Sequence, residues 1–172
     1  MVLDGGHFLI FPMLGLTVPD PRGFVFSQDF GAVGLGLPLG VGAALGAPQR
    51  HCLTIVGDGG LMFGVQELET AVRYRIPITV VVMNDHVLQA EALYLLAKDR
   101  GIGPVSFAGC DFAAIARSFG AVGLTITRAE QLDDLKAASS EAKGPVVVDV
   151  KINPDVIHNW LNAFGFAVAA TA

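Results

Sequence analysis

Cys52-Leu53-Thr54-Ile55-Val56, followed by Gly57-Asp58-Gly59-Gly60, is the stretch on which the reading of this chain turns. Its first five residues offer no polar face, so a strand built from them is covered on both sides, as in a parallel sheet. The glycines behind it permit a tight turn and let backbone approach a ligand closely. If a helix opens there, its free N–H groups attract an anion such as phosphate. A Gly-Asp-Gly turn also serves structural ends in many α/β domains, so by itself it leaves both readings open.

Working outward, the apolar run 78–83 predicts a second buried strand, ending in Asn84-Asp85-His86. Between the two, Val65, Leu68, Ala71 and Val72 recur at helical spacing over 65–74, and Pro77 closes the connection. Upstream, 24–26 reads as a short strand and 34–45 as a helix packed closely through its glycines. Downstream come a helix over 87–97, a helix over 112–119 capped by Asp111 and ended by Gly120, a helix over 129–142, and a strand over 146–150. This alternation predicts a three-layer, doubly wound α/β fold: one parallel sheet with helices on both faces. A length of 172 residues suits a single domain, 1–172.

Composition narrows the choices further. Hydrophobic residues make up 52% and charged residues 16%, against roughly 25% charged in a typical soluble domain. So oily a chain is expected either to be covered by a partner or to enter a membrane. The uncharged run 30–48 is long enough to consider as a span. However, six glycines and Pro38 interrupt it and no basic flank follows, which favours a buried, glycine-rich helix. The start of the chain shows no basic segment leading into an apolar core, so no signal peptide is expected. Cys52 and Cys110 form no CxxC pair and read as buried thiols of a cytoplasmic protein. A net charge of -5 without a basic cluster argues against a nucleic-acid partner.

Ligands of open α/β sheets sit at the carboxyl ends of the strands. Neighbouring parallel strands would bring Asp58 and Asn84 to one rim there. A carboxylate and an amide oxygen are hard ligands that suit Mg²⁺, which takes few protein ligands and completes its octahedron with phosphate oxygens and water. The residues themselves thus point to a Mg²⁺-diphosphate site.

Gly57-Asp58-Gly59, 24 intervening residues and then Asn84 resemble the paired motif of thiamine diphosphate enzymes, which runs from GDG to NN. The stretch 66–72 is similar to the helix found there in acetolactate synthases and 2-oxo acid decarboxylases, and Gly34-Leu35-Gly36-Leu37-Pro38 resembles their GFGLP segment. The likeness runs from about Asp4 to Pro154. It implies Mg²⁺ held by Asp58, Asn84 and the main-chain oxygen of His86. It further implies that Gly57, Gly59 and Gly60 meet the diphosphate of thiamine diphosphate, with further contacts from Gly6 and His7 in the Asp4-Gly5-Gly6-His7 loop. Val33 takes the place of the apolar wedge that keeps the cofactor bent, and Gly34 after it is likewise expected among the cofactor-binding residues.

The sequence departs from the pattern in three places. Asp85 replaces the second asparagine, Val33 is smaller than the usual leucine, isoleucine or methionine, and Leu88-Gln89 stands where many relatives have Tyr-Gly. His51 and His158 read as structural, as do Glu67 and Glu69; Glu91 is a candidate to face a substrate.

The resemblance implies a decarboxylase or carboligase acting on a small 2-oxo acid. It also implies that the activating glutamate belongs to a pyrimidine-binding domain, so this chain carries no catalytic residue of its own and is expected to be inactive alone. A fragment or separate subunit of a larger homo- or hetero-oligomeric enzyme is expected, for instance the second type of subunit in a split decarboxylase such as sulfopyruvate decarboxylase. Two other readings remain. A nucleotide-dependent oxidoreductase would read Gly34-Leu35-Gly36 as a dinucleotide loop, but no acidic residue closes the next strand as that loop requires. A non-catalytic domain that kept the fold is the other, against which the intact Asp58 and Asn84 count.

Overall fold

The computed structural model describes residues 1–26 and 30–158. The expectation of one domain over 1–172 therefore reaches residues 27–29 and 159–172, which lie outside the described ones. Six strands form one sheet: β1 (Val2–Leu3), β2 (Val25–Phe26), β3 (Cys52–Gly57), β4 (Ile78–Asn84), β5 (Val122–Ile126) and β6 (Val146–Lys151). They are arranged β2-β1-β3-β4-β6-β5, and every pair is parallel. The helices are α1 (Ile10–Gly15), α2 (Gly36–Gly46), α3 (Asp58–Gly64), α4 (Glu67–Arg73), α5 (Gln89–Leu96), α6 (Phe112–Phe119) and α7 (Leu132–Glu141).

The central strands have no polar face because both faces are covered. Val56, Val80, Val82 and Val147 pack beneath Leu37 and Val41 of α2, Leu68 of α4 and Phe112 of α6. On the opposite face Leu3, Ile55, Val81 and Met83 meet Phe8 and Leu9, while Val146 and Val148 meet Leu135 and Ala138 of α7. The expected doubly wound α/β architecture is thus what the chain adopts. Each fully buried valine contributes about 1.5–3 kcal/mol, which suits the valine-rich β4 and β6 to positions inside the sheet, each with a strand on either side.

Two strands lie where none is expected from the sequence. β1 is two residues long, yet both are buried and it pairs on both sides. β5 is an edge strand interrupted by Gly123, where a Cβ would stand 2.1 Å from the carbonyl oxygen of Ala113 in α6. Glycine lets that helix lie directly on the strand, and it also weakens the sequence signal of a strand.

The helix expected over 65–74 begins at Glu67, with α3 as a separate helix before it, and the one expected over 129–142 is α7 preceded by a 3-10 turn at Ala129–Gln131. Asp111 caps α6 by accepting from the Ala114 N–H at 2.8 Å, and Gly120 ends it at φ 93°. Within 30–48, α2 buries one face and leaves Leu45 59% exposed. Among the described residues no helix is long and apolar enough to cross a membrane. Cys52 is a buried thiol as expected, whereas Cys110 is only half-buried.

Candidate functional site

Register decides which side chains meet. Gly57 of β3 lies opposite Met83 of β4, so the next residues, Asp58 and Asn84, stand side by side at the carboxyl rim. Asp4, just past β1, joins them there because its N–H donates to Ile55 O at 3.0 Å.

Asp58 is 4% exposed. Its Oδ1 accepts from the Gly59 N–H and its Oδ2 from the His86 N–H, both at 2.8 Å. Burial pushes its carboxyl above the usual range, with these N–H groups opposing. His86 sits in the left-handed region at φ 65°, which aims its N–H back at Asp58. Its carbonyl accepts from the Phe107 N–H at 2.7 Å, and one lone pair remains on that oxygen.

Asn84, 1% exposed, donates from Nδ2 to Asp149 Oδ1 at 2.8 Å and to Cys110 O at 3.3 Å. Its Oδ1 is buried and has no hydrogen-bond partner among the described residues. A buried amide oxygen left without a donor costs about 1–3 kcal/mol, so its persistence calls for a partner of another kind.

Asp4 fixes the loop on the other side of the rim. Fully buried, it accepts from the Gly5 N–H at 2.9 Å and, with both oxygens, from the Gly34 N–H at 3.1 and 3.0 Å. Burial pushes its carboxyl up as well, against the same N–H groups. Gly34 holds φ +95°, and a Cβ there would stand 2.6 Å from the Cβ of Phe63. A Cβ on Gly60 would meet Asp4 Oδ2 at 2.5 Å and Val33 Cγ1 at 3.3 Å. Val33 therefore packs on the bare backbone of α3's first turn.

These residues surround a cleft of about 170 Å³. Gly6, His7, Val33, Gly57, Asp58, Gly59 and Gly60 all line it, as the sequence reading expected to find together. Gly34, Asn84 and His86 stand behind the wall, tied to it through Asp4, the β3–β4 pairing and Asp58 respectively. Leu88, Gln89 and Glu91 line the cleft too, with Leu88 packed over Gly59, so the Leu-Gln departure falls where a bound molecule would be felt.

His7, 5% exposed, accepts from the His158 N–H at Nε2, 3.1 Å away, and burial pushes its pKa down, so it sits there neutral. His51 meets Thr79 at 3.1 Å, Glu67 meets Thr70, and Glu69 pairs with Arg73 at 2.7 Å, and none of the three lines the cleft.

The sequence reading passed over two buried carboxylates. Asp4 was visible only as part of its glycine loop. Asp149 is the lone charge inside the apolar run Val146-Val147-Val148-Asp149-Val150, and that interruption was the available signal.

Asp85 also lines the cleft, and its pKa is pushed up to about 6 by burial and, secondarily, by the charge of Asp58. Its unfolded value is about 3.9. A raised folded value means that this side chain's contribution to stability is fully present below about pH 4 and is lost as pH rises through about 6. Asp85→Asn is therefore expected to raise the melting temperature relative to the parent chain above pH 6 and to leave it unchanged near pH 4. Melting curves across that window check it, and a pH-independent difference would contradict it.

The fold and this rim define a parallel α/β domain with a cleft at the carboxyl ends of its central strands. The chain belongs to the thiamine pyrophosphate enzymes, whose C-terminal TPP binding domain is matched by residues 4–150. It is 36% identical over 134 residues to an acetolactate synthase of Bacillus subtilis, covering 78% of this chain and 24% of that protein. It is 28% identical over 161 residues to a pyruvate decarboxylase of Neurospora crassa, covering 90% of this chain and 27% of that one. Among solved structures, the thiamine diphosphate-dependent 4-hydroxybenzoylformate decarboxylase of Rhodococcus jostii superposes with a TM-score of 0.67 at 28% identity, over 76% of this chain and 25% of that one. The chain thus spans about a quarter of the length of the relatives it matches.

Proposed function

We propose that this domain binds the Mg²⁺-diphosphate end of thiamine diphosphate in a 2-oxo acid decarboxylase or an acetolactate synthase-like carboligase. The observation that carries the reading is the buried, unpartnered Oδ1 of Asn84 next to the Asp58 carboxylate. Asp58 and Asp85, two carboxylates sharing one rim, add negative charge that a divalent cation relieves. Among the described residues no three His, Cys, Asp or Glu side chains cluster to hold a metal. One carboxylate, one amide oxygen and one carbonyl, with diphosphate and water completing the shell, form the sparse, hard donor set that Mg²⁺ takes.

In this reading Asp58, Asn84 and the His86 carbonyl hold the cation, while the backbone of Gly57, Gly59 and Gly60 and the Gly6–His7 loop receive the diphosphate. Val33, fixed by Asp4 through Gly34, is the apolar wedge under the cofactor. When bound, thiamine diphosphate supplies the electron sink that lets a 2-oxo acid lose carbon dioxide. Leu88, Gln89 and Glu91 are positioned to read the substrate.

The partner is a pyrimidine-binding domain bearing the activating glutamate, either on a longer chain or on a separate subunit. Exposed Phe63 and Met62 on α3, 64% and 46% exposed, offer it an apolar surface beside the cleft. A cytoplasmic location fits the two free cysteines.

Calorimetric titration with thiamine diphosphate tests this reading. Heat of binding is expected with Mg²⁺ present and is expected to vanish with EDTA; NAD should give none. No binding by a folded sample would remove the claim of a preformed half-site. Carbon dioxide release from a 2-oxo acid by this chain alone would refute the need for a partner.

A further inference from the structure

Asp149 lies wholly buried in β6, yet both of its oxygens are engaged. Oδ1 accepts from Asn84 Nδ2 at 2.8 Å, and Oδ2 accepts from the Phe112 N–H at 3.0 Å and from Lys151 Nζ at 2.8 Å. The second acceptor of the Asn84 amide, Cys110 O, also receives Lys151 Nζ at 3.1 Å.

A carboxylate taken out of water is costly unless it is paired and hydrogen-bonded, and here Lys151 and the first N–H of α6 meet that demand. Capping α6 would by itself account for Oδ2. It does not account for Oδ1. Neither Asp149 Oδ1 nor Cys110 O can donate, so only the nitrogen of the Asn84 amide can face them. Its oxygen must point the other way, and that oxygen is the one left without a donor.

We propose that Asp149, neutralised by Lys151, is a positioning residue that locks the Asn84 amide with its oxygen presented to the divalent cation. The proposal rests on the metal reading given above. Lys151 serves it in a second way, by cancelling the charge of Asp149 so that the carboxylate does not compete for the cation.

The test is Mn²⁺ binding in the presence of thiamine diphosphate, followed by electron paramagnetic resonance on the full chain, with a melting curve for each variant. Asp149→Asn keeps an oxygen for Phe112 and Lys151 but turns its NH₂ toward Asn84. The Asn84 amide must then flip and present nitrogen to the cation. Mn²⁺ affinity is expected to fall about 10–100-fold, the usual effect of losing a partner that orients a metal ligand.

The double variant Asn84→Asp with Asp149→Asn restores the shorter of the two contacts, at residue 149, and gives up the longer one to Cys110 O. One oxygen of residue 84 accepts from the new amide, the other remains for the cation, and most of the lost affinity returns. Because Asn84→Asp also supplies a carboxylate ligand, the recovery is read against that single variant, in which two carboxylates face each other at the 2.8 Å contact: a purely structural role for Asp149 predicts that adding Asp149→Asn to it gains no Mn²⁺ affinity. If Asp149→Asn binds Mn²⁺ as the parent does, or if the folded double variant binds no more tightly than Asn84→Asp alone, the positioning role is overturned while the metal site stands. A parent chain that binds no Mn²⁺ overturns the metal reading and this inference with it. Should Asp149→Asn not fold, the folded double variant decides: binding tighter than that of Asn84→Asp alone supports the role, and binding no tighter overturns it.

Discussion

Asp58→Ala is expected to abolish Mg²⁺-dependent binding of thiamine diphosphate and to leave the chain folded. Removing a group that only orients a metal ligand costs about 10–100-fold in affinity, and loss of the anionic ligand itself must exceed that. The folding side is closer to balance. The substitution strands the N–H groups of Gly59 and His86, at about 1–3 kcal/mol for each one kept from water. Against this, a carboxylate whose burial disfavours its charge is removed, and Gly59 borders an open cleft where water can replace the lost acceptor. Circular dichroism with titration calorimetry separates the two effects. Binding that survives in the folded variant, still sensitive to EDTA, would sink the assignment of Asp58 to the metal.

The largest effect on stability is expected from Gly123→Ala. A methyl group there would lie 2.1, 2.8 and 3.0 Å from the O, C and Cα atoms of Ala113. These are backbone atoms of α6, so no side chain can swing aside and the helix itself must shift. Overpacking of this kind costs about 1–3 kcal/mol, occasionally more. At about 2–4 °C per kcal/mol for a chain of this size, the melting temperature should drop by roughly 2–12 °C. Moving α6 also drags the Phe112 N–H off Asp149, so Mn²⁺ affinity should weaken in the same variant. Gly42→Ala in α2 is the control, because a Cβ there meets nothing within 4 Å. It is expected to gain about 0.5–1 kcal/mol from helix propensity alone. A Gly123→Ala chain melting within a degree of the parent would mean that α6 does not press on β5.

The parts of the fold that were legible in the sequence are those whose signal is local. β3 and β4 are unbroken apolar runs ended by turn chemistry, and their parallel pairing places Asp58 beside Asn84 without further information. Asp111 and Gly120 mark the ends of α6 through hydrogen bonds made within a few residues of themselves. What escaped notice depends on distant partners. Val2-Leu3 is too short to show periodicity and becomes a strand only because β2 and β3 flank it. Val122-Gly123-Leu124 hides a strand because its glycine answers to a helix ten positions earlier. Asp4 and Asp149 were overlooked for a related reason: the tasks that place them at the rim involve Gly34, 30 residues from Asp4, and Phe112 and Asn84, 37 and 65 residues from Asp149.

The rim takes Asp4 from the end of β1, Asp58 from β3, Asn84 from β4 and the support of Asp149 from β6. No pair of adjacent elements contains it, so it comes into being only when the last crossover has closed, late in a topology dominated by non-local pairing. A cation and diphosphate seated there act as a latch across four strands. Their binding energy would not quiet the fraying of α7 or β5 at the sheet's edge; it would appear as slower exchange of the innermost amides of β3, β4 and β6, those released only when the whole sheet comes apart.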